Sequence, residues 1–445
     1  MNEPGATAFT GVTVLPMTGA PSLHEQTVLV REGRIAAIAP AASLPVPPDA
    51  TVIDGHGKFL MPGLCDMHVH MYGRRGEPLS EAEMLKRSRE YLYLFLCRGV
   101  TTVRNMAGIP LHLRMRAEVA DGSTIGPRIF TAGPILETRF THRLLLGIGE
   151  EVKSSAEARA MVLANHHDGY DFIKVYNDID ADVYDTIIAT AREVGLQVIG
   201  HVAFAKGLDG ALAAKQDSIE HLRSYDFAAD TRPSPPGKRF EGWLHTTPAR
   251  MREMAERTAT AGVWNVPTLV TESGIYPDDE QTPAQDLSGL PDWFEQRMRA
   301  DTMAGVFTNE QRRAIKDGAP MRQAFVAELD RAGAKVMAGT DTPVLQLVPG
   351  RSLLREIALF VEGGISNLRA LQCATLLPAE FLGRQDRIGT VEVGKVADLL
   401  LLNADPLADI AALRRQAGVM AAGRWLSTEA LQATVQGFDL AAAAE

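Results

Sequence analysis

The segment Met61–His70, MPGLCDMHVH, ends an apolar run on two histidines separated by one valine. In a strand, alternate side chains share a face, so His68 and His70 point the same way. Two imidazoles on one face can grip a metal ion, although a hydrogen-bonded pair at a strand end has the same spacing. Four more polar residues interrupt or end apolar, strand-like runs: Lys174 in DFIKVY, His201 in VIGHV, His221 in SIEHL and Asp341 in MAGTDTP. Each is unfavourable inside an apolar segment unless it is paired. Singly, His201 and His221 also fit as hydrogen-bonded core histidines, and Asp341 as a helix cap. Together the six form a set suited to divalent cations. Imidazole with carboxylate favours zinc, with Mn and Co as alternatives. A cationic Lys174 would oppose metal binding, but burial drives lysine toward its neutral amine. That amine can react with carbon dioxide to form a carbamate, an oxygen ligand able to bridge two ions. The alternative is an ammonium that binds substrate anions.

Such a set needs a scaffold that gathers distant strand ends. Through the middle of the chain, strand-like and helix-like segments alternate. Ser154 and Glu157 have capping-box spacing, an apolar helical stripe follows, and Gly169 breaks it before DFIKVY. Val183, Ile187, Ile188 and Val194 share a face of the next helix, which Gly195 stops. Strands are expected at 64–70, 99–107, 127–136, 171–176, 196–202, 218–222, 262–270 and 334–341. This alternation predicts an α/β protein, a parallel (β/α)8 TIM barrel with its reactive residues at the C-terminal strand ends. A doubly wound open sheet is the alternative.

The first sixty residues read as short strands, with REGR a hairpin turn at Gly33, and a similar texture returns in GTVEVGKVADLLLLNADP and QAGVMAAGRWL. Neither end can bury a core alone, so the two are expected to pair into one small β-sandwich. The predicted division is 1–60 and 386–445 in the sandwich and 61–385 in the barrel. DTRPSPPGKRFEGW reads as a loop or flap. The acidic stretch 277–306 reads as a lid over the catalytic face, or as a plain surface excursion.

With 445 residues, 46% hydrophobic and 22% charged, the composition is that of an ordinary globular protein. The net charge of -10 argues against a nucleic-acid surface. No run is long enough to span a membrane, and the N-terminus lacks a signal-peptide pattern. Cys65, Cys97 and Cys373 are odd in number and far apart. A disulfide framework is therefore not expected, a reducing cytoplasm is, and Cys65 reads as a small packed hydrophobe.

In this order, DMHVH, DFIKVY, IGHV, IEHL and AGTDTP resemble the amidohydrolase superfamily, in its imidazolonepropionase-like and prolidase-like branch. GVTTVRNMAG and DRIGTVEVGKVADLLLLNADPLADI extend the resemblance over nearly the whole chain. It implies a barrel with a binuclear centre and a homo-oligomer. By matching position, His68, His70 and Asp341 would hold one metal and His201 and His221 the other, with carbamylated Lys174 bridging. Leu354 departs from the pattern, standing where many relatives carry a histidine.

The expected activity is hydrolysis of an amide by a metal-bridging hydroxide, with Asp341 as general base and then general acid. Expected small-molecule substrates are N-acyl amino acids, Xaa-Pro dipeptides and aryl amides of amino acids. Cyclic-amide hydrolysis or deamination is the alternative, and a non-catalytic metal or ligand binder a more distant one. His142, with Arg139 or Arg143, and Tyr225 are candidate substrate contacts. The Tyr225 hydroxyl is expected to support the carbonyl oxygen.

Overall fold

The computed structural model describes residues 5–73, 78–140, 147–233, 240–273, 275, 290–300 and 307–437. Seven strands run parallel in chain order: Leu64–Val69, Val100–Asn105, Arg128–Glu137, Phe172–Val175, Gln197–Gly200, Ser218–Glu220 and Trp264–Val266. Every residue of the first two is buried. A parallel sheet reads this way when helices cover one face and packed side chains fill the other.

The expected eighth strand differs. Segment 334–341 and the Thr342 that follows it make two isolated bridges, Asn265 with Val336 and Val69 with Thr342, which nearly close the barrel. Its backbone is still held on both sides, with Met337 N donating to Asn265 O at 2.9 Å and Met67 N to Ala338 O at 3.0 Å. Asp341 takes a left-handed conformation, φ 68°, which breaks the ladder. Gly339 permits the close approach, because a Cβ there would lie 2.8 Å from His68 N.

Local signals placed the helices well. In the helix Ser155–His167, Ser154 Oγ accepts from Glu157 N at 3.2 Å, and the Glu157 carboxylate accepts from Lys153 N at 2.8 Å. The helix Ala181–Val194 buries Val183, Ile187 and Ile188 and stops at Gly195 in the left-handed region. Val194 is only half-buried.

Both chain ends join one sheet of eight strands. Five come from the N-terminal side, Thr7–Val14, Leu23–Arg31, Arg34–Pro40, Thr51–Asp54 and Phe59–Pro62. Three come from the C-terminal side, Leu399–Leu402, Gln416–Ala421 and Arg424–Ser427. The hairpin at Gly33 has both central residues left-handed, Glu32 at φ 49° and Gly33 at 71°, the turn that matches strand twist. Leu399 stands opposite Pro62 and Leu402 opposite Phe59. This sheet encloses its own core, including Phe9, Val28, Leu60, Leu399 and Met420. Gly63 alone separates Phe59–Pro62 from the first barrel strand, so the paired chain ends brace the strand that carries His68. Cys65 is buried among apolar neighbours, and burial pushes its thiol up to about 12. No described helix is long and apolar enough to cross a membrane.

Candidate active site

The six suspected metal ligands sit at or near the ends of the barrel strands and the segment that closes on them. His68 lies within its strand and His70 just past it. Lys174 lies in Phe172–Val175, and His201 and His221 directly follow Gly200 and Glu220. Asp341 comes from the segment that bridges the first and seventh strands. All six line one cavity of about 360 Å³.

His68, His221 and Asp341 offer atoms that all lie within 4.8 Å of one another. His68 Nδ1 donates to Glu220 Oε2 at 2.7 Å, which leaves a lone pair on Nε2. That Nε2 stands 3.2 Å from Asp341 Oδ1 and has no hydrogen-bond partner. Two acceptors facing each other in a buried site call for a cation between them. His70 Nε2 is 3.0 Å from the same oxygen. His201 Nδ1 donates to Asn177 Oδ1 at 2.8 Å, so its Nε2 also keeps a lone pair. His221 Nδ1 shares a 2.6 Å hydrogen bond with Thr268 Oγ1, and the His201 and His221 rings lie 4.8 Å apart. Anchoring one ring nitrogen to orient the other is the usual support for a metal-binding imidazole. The donor set fits divalent cations.

Electrostatics agree with the geometry. Burial holds His70, His201 and His221 below the ordinary imidazole value, which favours neutral ligands. Burial opposes the Asp341 carboxylate, but His221, His68 and His70 outweigh it and keep the group well below the usual range. The Lys174 amine is fully buried with no hydrogen-bond partner, and burial lowers it to about 8.

Two supporting residues escaped the sequence reading. Arg104 and Glu220 are both 0% exposed and pair at 2.8 Å, and Glu220 holds His68. Arg104 also donates to Met67 O at 2.6 Å and to Ser218 Oγ at 3.1 Å. Burial raises the Glu220 carboxyl, yet Arg104 and His68 bring it down to about 2. The signal was present: opposite charges inside the apolar strands of GVTTVRNMAG and SIEHL demand partners. Asp66 does similar work, accepting from Thr340 Oγ1 at 2.8 Å and tying the first strand to the Asp341 segment. Arg104→Met is expected to lower stability by roughly 3–5 kcal/mol, because it strands a buried carboxylate. The urea midpoint checks this, and the double variant with Glu220→Gln should recover part of the loss. An unchanged midpoint in the single variant would remove the pair from the account.

Tyr225 requires a correction. Its side chain is 0% exposed and faces away from the cavity, with its hydroxyl bonded to Thr258 Oγ1 at 2.9 Å and Asn265 Oδ1 at 3.0 Å. It therefore does not reach a substrate carbonyl in this arrangement. Arg139 is exposed and pairs with Asp180 at 2.8 Å, away from the cavity. His142 and Arg143 lie outside the described residues. Leu354 packs in the core of the helix Arg351–Glu362. The expected flap contributes Phe240 and Trp243 to the cavity wall. Of the acidic stretch, the described helix Asp292–Ala300 places Arg297 at the cavity and stacks Trp293 edge-on against Tyr72.

A family model described as the amidohydrolase family matches residues 59–426. Among solved structures, a bottromycin amidohydrolase superposes with TM-score 0.75 at 22% identity, over 98% of this chain and 90% of that one. A Xaa-Pro dipeptidase with methionine bound in its active site gives TM-score 0.70 at 21% identity, over 95% of this chain and 100% of that one. At these identities the likeness carries the fold. An enamidase from Eubacterium barkeri is 35% identical over 104 residues, 23% of this chain and 25% of the enamidase. The chain spans a quarter or less of the length of the curated enamidase, deaminase and imidazolonepropionase relatives it matches.

Proposed function

Because the chain belongs to the amidohydrolase family, a family of hydrolases acting on carbon–nitrogen bonds, we propose that it cleaves the amide of an N-acyl amino acid or dipeptide-like compound. Xaa-Pro dipeptides and aryl amides of amino acids fall in this class. The observation that carries the proposal is the convergence of six residues from or near the strand ends on one cavity, with His68 Nε2 and Asp341 Oδ1 facing each other at 3.2 Å. His68, His70 and Asp341 would hold one divalent ion and His201 and His221 a second, with Lys174 supplying a carbamate between them. Zinc suits this donor set. When bound, such ions polarise a carbonyl and make water acidic enough to react near neutral pH.

The chain's own residues then manage the proton. Asp341 accepts it from the attacking water and returns it to the leaving nitrogen, so the amine departs neutral. Glu220 and Asn177 keep His68 and His201 in fixed tautomers and orientations. Phe240, Trp243, Ile275 and Phe307 give the cavity an apolar wall suited to an apolar or aromatic acyl group.

The names of the imidazolonepropionase and adenine deaminase relatives keep cyclic-amide hydrolysis and deamination in view as the second reading. A panel of N-acyl amino acids, lactams and aminopurines separates the two. The acyl amino acids are expected to give the highest kcat/KM, by about tenfold or more over either rival class. Fastest turnover of a lactam, or release of ammonia from the purines, would replace the proposal. Bound metal with no turnover of any compound would favour a binder.

A further inference from the structure

The turn after the sixth strand presents a second side chain to the cavity. Arg223 lies two residues beyond His221 and lines the same space. Its Nε is buried without a partner, and among the described residues its guanidinium makes no hydrogen bond or ion pair. Other buried or half-buried arginines here are engaged, Arg104 by Glu220, Arg322 by Glu272 and Arg232 by Asp230. The Arg223 charge acts on Asp226 and Glu272 in the same cavity wall, but neither is ion-paired with it: Asp226 Oδ2 accepts from Phe240 N at 3.1 Å and Glu272 pairs with Arg322.

The backbone is arranged to hold it there. His221, Leu222 and Ser224 are all left-handed, with φ of 59°, 50° and 65°. Such a conformation is strained for a residue with a side chain and persists only where its surroundings impose it. Arg223 N donates to Glu220 O at 3.1 Å, and Tyr225 pins the far side of the turn through Thr258 and Asn265. Buried Tyr225 thus positions the turn that aims Arg223.

We propose that Arg223 is the carboxylate anchor of this site, gripping the α-carboxylate of the amino acid released when the amide is cleaved. This rests on the amide-hydrolase reading above. A planar guanidinium with free donors matches a carboxylate in a two-point grip. Arg223 and His221 leave the same turn and line the same cavity as Asp341, so a group gripped by Arg223 shares that space with the reacting amide. The α-carboxylate, one carbon from the scissile nitrogen, is the substrate anion best placed to meet it. An unsubstituted lactam or a purine offers no such group, so the anchor favours amides whose leaving amine carries a carboxylate.

The test compares an N-acyl amino acid with its carboxamide, in wild type, Arg223→Gln and Arg223→Lys. Wild type should favour the acid in kcat/KM by about 10–100-fold, the range of a charge-assisted hydrogen bond. Arg223→Gln should bring that ratio close to one, chiefly through KM, and Arg223→Lys should fall between. Calorimetry on the metal-loaded proteins gives a second readout with acetylproline and acetylprolinamide. Arg223→Gln should weaken the acid about tenfold or more and narrow its advantage over the amide. Metal content and circular dichroism must match wild type, and Arg223→Lys serves if Arg223→Gln does not fold. An unaltered acid preference, or equal weakening of both ligands, overturns the anchor. If wild type turns over neither compound, the hydrolase reading fails, while the calorimetric comparison still decides for or against Arg223.

Discussion

Asp341→Asn is expected to lower kcat by roughly 10²–10⁴-fold, the usual share of a general acid–base group, while the barrel stays folded. Asparagine has nearly the same size, so the bridges around it at Val69 and Val336 should survive. The chemistry does not. An amide cannot take a proton from water or return one to a leaving nitrogen. It would also replace the acceptor that His68 and His70 face at 3.2 Å and 3.0 Å. The measurement is kcat beside metal content and thermal midpoint, so that lost chemistry is separated from a lost ion. Near-normal kcat with normal metal content would assign the proton transfer to another residue.

Lys174→Ala should lose about 10²-fold or more in activity, beyond the effect of altering a group that merely supports a ligand. Its amine is 1% exposed, stands among His201, His221 and Asp341 in the cavity, and has no hydrogen-bond partner. A buried ammonium without a partner is strongly unfavourable, whereas the neutral amine can attack carbon dioxide. A C–N bond would form as the amine proton left, and the resulting anion would supply negative charge to cations held by the neighbouring ligands. Elemental analysis should show about two ions per wild-type chain and fewer in the variant. Short carboxylic acids should restore part of the activity by occupying the vacated place. Labelled carbon dioxide should give a carbamate carbon signal in wild type and none in the variant. A variant within threefold of wild type, or a wild type with no carbamate signal, would return Lys174 to the role of a plain cation.

The sequence by itself determined the six residues of the cavity and most of the barrel. A lysine, a histidine or an aspartate within a short apolar run is a local anomaly, and the period of two shows which neighbours share its face. The helix starting after Ser154 and the one ending at Gly195 were legible for the same reason, since caps act over three or four residues. Only the tertiary structure decided the rest. The segment at 334–341 looks like any other apolar strand, but the left-handed turn at Asp341 and the contact of Gly339 with His68 reduce it to two bridges. Arg104 and Glu220, 116 residues apart, find each other only once the barrel closes. Tyr225 was misplaced because spacing from His221 says nothing about direction across a turn with three left-handed residues. Backbone strain of that kind is imposed by surrounding contacts, and those contacts join residues that are distant in the chain.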